Sequence, residues 1–400
     1  MKILMLTPYL PYPPSSGGQI RSYNLIKQLS KKHDIYLVGL IKNESEKKHI
    51  AHLKNYCREI YVCRRSKSPW TPSNIFKSIF GVQPFVVVRN YAKDAKETIR
   101  KILKENDIDL VHAETFYVMP HIPSTPVPVL LVEQTIEYMV YQHYIENLKI
   151  PFAKYLLRVD ILKLKHREKT YWEKANMVGA VSEEDRDEMR KLIPNLHVEI
   201  IPNAAGEDLM DLYDKNKNNS DPIFLYVANF LWLQNVEGAE ILARDVFPQI
   251  AKRIPNAKCI IAGQYADEKL SHLSYPNVEV HDLSKDSINA VKKAYREASV
   301  FIAPLEGPGG TRLKILGAMA AGLPVISSKT GVAGLAIVDR VHVLIAKTPE
   351  QFAESAVEIL ANHTLFSSIR RNARKLVENE YEYSKIAKKL EKVYMRIKTS

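Results

Sequence analysis

Residues 304–327 read PLEGPGGTRLKILGAMAAGLPVIS. Gly307, Gly309 and Gly310 fall within four residues and lead into Thr-Arg-Leu-Lys. Glycine accepts positive φ and lets the backbone approach a ligand closely. Thr311 is a candidate N-cap for the helix that follows, so its first amides and its dipole would face an anion. Arg312 and Lys314 lie in the first turn, where cations oppose the dipole, and a bound phosphate would remove that conflict. The plainer alternative is a tight turn carrying two solvated charges. The stretch is neither a G-x-x-x-x-G-K-[ST] loop nor a G-x-G-x-x-G fingerprint. After it, small residues predict a helix, and Gly-Leu-Pro followed by an apolar run predicts a strand over 324–327.

The same plan extends outward in both directions. In the second half, apolar runs at 223–228, 257–263, 278–281, 300–303 and 341–345 predict strands, separated by helical stretches such as 236–254. In the first half a strand is expected at 2–7. A Pro/Ser/Gly loop, a helix over 18–32 and a strand at 34–41 follow. Further strands are expected at 60–63, 109–112, 127–132, 177–181 and 198–201. Strands alternating with helices specify parallel sheets covered on both faces. The expected fold class is therefore α/β. It would comprise two Rossmann-like domains, 1–203 and 204–383, with residues 384–400 returning to the first. A polar, turn-rich link runs from about 203 to 221. Ligands of such sheets bind beyond the carboxyl ends of the strands, and two such edges facing across a cleft suit a two-substrate enzyme.

The N-terminal loop repeats the opening pattern. Gly17 and Gly18 would let amides approach a ligand, and Arg21 points to an anion; a plain strand–helix loop is the alternative. His112, at the end of its strand as read here, is either structural or a site residue. Asp107 and Asp109 have the spacing of a metal clamp, but fit helix-end polarity better. With no H-E-x-x-H and no cysteine pair, no metal site is expected. Residues 149–175 form a basic amphipathic helix with Phe152, Tyr155, Leu156, Val159 and Leu162 in an apolar stripe. It would lie on an anionic membrane surface or pack between domains.

The chain has 400 residues, 46% hydrophobic and 26% charged, as expected of a globular protein able to bury large cores. Its net charge of +12 lies mostly in the first 203 residues. That excess attracts phosphorylated ligands or anionic lipid, or serves only solubility. No nucleic-acid module is visible. Three cysteines without ligand spacing read as thiols of a reducing compartment. No signal-peptide core and no spanning run appear, so a cytoplasmic location is expected, peripheral on the inner face of the membrane if the basic helix docks there.

These motifs together resemble the GT-B glycosyltransferases of family 4, the "group 1" class. The likeness rests on Gly17-Gly18, Asp109-Leu-Val-His112, Ala180-Val-Ser182-Glu183, Ile201-Pro202-Asn203, the run from Gly310 to Val325, and Tyr381-Glu-Tyr-Ser384. It implies a retaining transferase without metal or cofactor. A nucleotide-sugar donor would be held by the second domain, and a lipid-linked or polysaccharide acceptor by the first. Gly17, Gly18, Gly309, Gly310, Thr311, Arg312 and Lys314 would hold the donor. His112 and Glu306 are the candidate catalytic residues, and Arg21, Gln134 and Glu137 candidate sugar or acceptor contacts. Two departures stand out. Family members commonly carry two glutamates where this chain has Gly309 and Gly317, and often a His where it has Gln134. A Glu at 317 would then restore a ribose contact. These departures keep open a catalytically silent partner or scaffold, and a sugar-nucleotide epimerase.

Overall fold

The computed structural model describes residues 1–146, 148, 151–214, 222–283, 288–307 and 313–399. The chain divides into two compact units, Met1–Asn203 with Ser384–Ser400, and Ala204–Tyr383. Each holds one parallel sheet.

In the first unit the strands are β1 (Lys2–Thr7), β2 (Asp34–Ile41), β3 (Glu59–Arg64), β4 (Leu110–Glu114), β5 (Val129–Val132), β6 (Met177–Ala180) and β7 (Val198–Ile200). Their order is β3-β2-β1-β4-β5-β6-β7, all parallel. Ile3 to Leu6 are all buried, because helices cover both faces of a parallel sheet and its strands are apolar throughout rather than alternating. The order reverses between β1 and β4, which makes their carboxyl ends the topological switch point.

In the second unit the strands are β8 (Ile223–Asn229), β9 (Lys258–Gln264), β10 (Val278–Asp282), β11 (Val300–Ala303), β12 (Val325–Ser327) and β13 (Leu344–Ile345). The order is β10-β9-β8-β11-β12-β13, with the switch point between β8 and β11. The opening stretch follows β11. Its helix, Leu313–Ala320, is buried from Ile315 onward. The helix ends where Gly322 takes φ +73°, and Leu323 N–H and Gly322 N–H return to Ala318 O (2.9 Å) and Met319 O (3.1 Å). This glycine-terminated cap is why A-G-L-P stops the helix and releases β12.

Several expectations need correction. β4 runs on to Glu114, so His112 lies inside the strand rather than at its end. The helix expected at 236–254 is three pieces, Leu233–Ile241, a π turn at Leu242–Val246, and Phe247–Arg253. Asp109 accepts from Lys2 N–H (2.8 Å) and Lys398 Nζ (2.6 Å), the structural role that its helix-end position suggested. The basic helix runs Pro151–Lys174 and is anchored by Leu164, Tyr171 and Trp172, while Tyr155, Leu156, Val159 and Leu162 are exposed. All three cysteines are buried, and burial raises the Cys57 thiol to about 12. No helix among the described residues is long and apolar enough to cross a membrane. Nor do those residues gather three metal-ligating side chains.

Candidate functional site

At the first switch point β1 delivers Tyr9, β4 delivers Glu114, and the chain leaving β5 delivers Gln134. The Gly17–Leu29 helix begins beside them. Gln134 Nε2 donates to Glu114 Oε2 (2.6 Å) and to Tyr9 Oη (3.2 Å). Tyr9 Oη and Ser22 Oγ are 3.2 Å apart. A Cβ added at Gly18 would lie 2.9 Å from Gln134 Oε1 and closer still to Tyr9 Oη. Position 18 is therefore glycine because the loop backbone lies directly against these side chains.

Beneath this surface is a buried ionic cluster. Arg21 Nε stands 3.6 Å from Glu114 Oε2, and both side chains are fully buried. His112 Nε2 lies 3.2 Å from Glu114 Oε1, off the line of a good hydrogen bond. His112 Nδ1 meets Tyr394 Oη at 2.5 Å, tying β4 to the Tyr383–Thr399 helix. Arg21 Nη1 donates to Pro202 O and Asn203 Oδ1, each at 2.9 Å. Burial would raise the Glu114 carboxyl, but the Arg21 charge, with help from His112 and Gln134, holds it down at about 2. Glu114 thus stays ionised in the core and fixes the far end of Gln134.

A second buried carboxylate set adjoins. Glu133 accepts from Trp172 Nε1 (3.0 Å) and Phe116 N–H (3.3 Å). Glu168 accepts from Glu137 N–H (2.7 Å) and Tyr138 N–H (3.0 Å), at the start of the Glu137–Glu146 helix. Glu137 accepts from Tyr117 Oη (3.3 Å). Burial raises Glu133 to about 8 against the pull of the Trp172 hydrogen bond, and Glu137 adds to the rise. Burial also raises Glu137, to about 7, against the opposing charge of Arg89.

At the second switch point Asn229 ends β8. Its carbonyl accepts from Asn235 Nδ2 (2.7 Å), and its amide Nδ2 donates to Gln264 Oε1 (2.6 Å). Lys314 Nζ donates to Asn235 Oδ1 (2.6 Å) and Tyr226 Oη (3.1 Å) and lies 4.6 Å from the centre of the Tyr226 ring. The chain leaving β11 is pinned by Ser328, whose hydroxyl donates to Leu305 O and accepts from Gly331 N–H (3.1 Å). Beyond that pin Glu306 is exposed and Gly307 buried.

Residues 221–362, which span this second site, match the family model of glycosyl transferases group 1. The whole chain is also similar in fold to sucrose-phosphate synthase of Thermosynechococcus elongatus, with a TM-score of 0.71 at 16% identity over 99% of each chain. The chain has the GT-B fold. Another GT-B fold match is S. aureus TarM, in a variant solved with fondaparinux, alpha-GlcNAc-glycerol and UDP. Its TM-score is 0.69 at 11% identity, over 98% of this chain and 99% of that one. In sequence, the chain is 22% identical over 397 residues to an uncharacterized 44.6 kDa protein in the cps region of Klebsiella pneumoniae. That match covers 96% of this chain and 97% of the relative.

Within the GT-B frame, the expected site residues fall into three groups. Gly17 is exposed, and Gly18 and Gln134 are half-buried together at the first switch point. Lys314 and Glu306 belong to the second. His112, Arg21 and Glu137 are buried; His112 and Arg21 lie against Glu114 behind the site surface. Gly309, Gly310, Thr311 and Arg312 lie outside the described residues. Gly317 lies in the buried Leu313–Ala320 helix, where a Cβ would lie 2.8 Å from Leu209 Cδ1 and 3.5 Å from Tyr295 Oη, so a side chain there must first displace Leu209. Sequence reasoning missed Tyr9, Tyr226, Asn235, Ser328 and Tyr394, and gave Glu114 no role. The available signal was position: Tyr9 and Glu114 lie at or just beyond the carboxyl end of a strand flanking a switch point, and Asn235 in the first turn of the helix that follows one.

Proposed function

We propose that this GT-B chain is a retaining glycosyltransferase that works without metal, moving a sugar from a nucleotide-sugar donor to a lipid-linked or polysaccharide acceptor. The observation that carries the reading is the pair of switch points. Each sheet brings polar side chains and the start of a helix to the edge where such folds hold ligands. In the second unit this edge lies within the group 1 match. TarM, of the same fold, was solved with UDP, which supports a nucleoside-diphosphate donor. The cps-region relative supports a polysaccharide or its lipid-linked precursor as acceptor.

In this reading Lys314, held by Asn235 and Tyr226, and Arg312 stabilise the diphosphate as it departs with the C1–O electron pair. The acceptor hydroxyl forms the new bond on the same face of the sugar and passes its proton to the departing diphosphate oxygen. Gln134 and the Gly17-Gly18 backbone provide a hydrogen-bonding surface in the first unit. Glu114 and His112 hold that surface in place. Glu306, exposed on the loop beside the donor site, is available to a sugar hydroxyl. A second reading, a silent partner or scaffold, is favoured by the lack of carboxylates at 309 and 317. A thermal-shift screen of nucleotide sugars separates the two. A donor at a hundredfold its dissociation constant adds about 2.7 kcal/mol to stability, and Lys314→Met should remove most of that shift. A screen in which no nucleoside diphosphate and no nucleotide sugar stabilises the chain defeats the transferase reading.

A further inference from the structure

The Pro72–Phe80 helix of the first unit turns its apolar side outward. Phe76 and Phe80 are 63% and 74% exposed, and Trp70 and Val82, just beyond its two ends, 67% and 71%. Large apolar side chains this exposed and this close together mark a surface that is covered in use. A second exposed row, Tyr155, Val159 and Leu162, lies on the Pro151–Lys174 helix. The two helices are locked together. Lys163 Nζ donates to Ser78 O (2.6 Å) and Gly81 O (2.7 Å), closing the carboxyl end of the shorter helix. Asp160 accepts from Ser78 Oγ (2.9 Å) and Phe85 N–H (3.0 Å). The apolar rows therefore belong to one fixed element pair.

Beside this element opens a cavity of about 870 Å³. Arg64, Arg65, Lys67, Lys77 and Lys93 line it, and Asp94 is the one acidic residue in the lining. Lys77, Gly81 and Val82 belong to both the cavity wall and the apolar element. Arg65 Nε is shielded from solvent without a hydrogen-bond partner among the described residues. Burial and the neighbouring Arg89 lower the Arg65 guanidinium to about 10. Five cations against one acidic group in the described lining give the cavity a positive charge that attracts an anion.

We propose that this face docks on an anionic lipid leaflet, with Phe76, Phe80 and Trp70 entering the headgroup boundary and the cavity cations receiving lipid phosphates. Apolar insertion beside a cation cluster is the pairing that peripheral membrane binding requires. The surface shares none of the side chains described at the two switch points. It deepens the acceptor reading above by placing the chain where a lipid-linked acceptor resides.

The test is co-sedimentation of the full chain with vesicles of phosphatidylcholine alone, or of phosphatidylcholine containing phosphatidylglycerol. Binding should need phosphatidylglycerol and weaken with salt. The double variant Lys67→Glu/Lys77→Glu should bind at least about twentyfold more weakly, from about fivefold for each cation lost. Phe76→Ser/Phe80→Ser should lose the binding that persists at high salt. Both pairs are exposed, so unchanged melting temperatures confirm that the variants fold. Equal binding to the two vesicle types, no binding at all, or variants that bind like the parent would overturn the proposal. So would a patch covered by a second copy of the chain, seen as a dimer that ignores vesicles. The thermal-shift screen of nucleotide sugars without vesicles, run in parallel, keeps the outcomes distinct. A screen with no stabilisation defeats the transferase reading and leaves the docking result standing.

Discussion

Glu114 shows how much one residue can decide. It is a fully buried carboxylate held ionised near Arg21, and it accepts the hydrogen bond that orients Gln134 at the site surface. Glu114→Gln should destabilise the fold by about 3–5 kcal/mol, because Arg21 would then be a buried charge without its partner. Denaturant unfolding measures this, and a loss below about 1 kcal/mol would mean that the pair is not the anchor described. The same residue shows where sequence reading stopped. An acidic residue after Leu-Val-His-Ala reads as the start of a loop. Its burial is made tolerable by Arg21, some ninety positions earlier, and the His112 partner Tyr394 is still more distant in sequence. Neither contact leaves a local signal.

Elements were more legible than contacts. Strands such as β1 and β11 are uninterrupted apolar runs, and the A-G-L-P stop after the Leu313–Ala320 helix is a local cap whose chemistry lies in four residues. The π turn at Leu242–Val246 was not read, although Pro248, in the first turn of the piece that follows, removes an amide donor from the expected helix. The helix also settles what can replace Gly317, which packs against Leu209 and Tyr295. Gly317→Glu should therefore lower stability by about 3 kcal/mol, the cost of forcing an unpaired carboxyl into apolar packing, and give no gain in donor affinity. Thermal melts together with titration by a nucleoside diphosphate check both halves. A stable variant with tighter binding would return the ribose contact to this position.

At the scale of the molecule, the alternation of strands and helices already indicated the α/β class, whereas the buried carboxylates give the first unit a pH response that the sequence did not suggest. Between the ordinary glutamate value of about 4.3 and the raised values of about 8 and about 7 at Glu133 and Glu137, the folded chain keeps protons that the unfolded chain has released. The stability from these two groups is full below about pH 4.3, falls progressively above it, and is lost once pH has risen through 7 to 8. Glu114, at about 2, acts oppositely: its contribution is full above about 4.3 and fades as pH falls toward 2. Glu133→Gln should consequently lose less unfolding free energy than the parent between about pH 5 and pH 8; parallel curves would mean that Glu133 is ionised throughout. The account rests, finally, on glycosyl transfer itself. The direct measurement is to follow nucleotide sugars incubated with the full chain and candidate lipid-linked acceptors, reading nucleoside diphosphate release and, by NMR, the anomeric configuration of the product. The account predicts release coupled to product of retained configuration, reduced at least about tenfold by Lys314→Met. Product of inverted configuration, or no release with any donor, would contradict it.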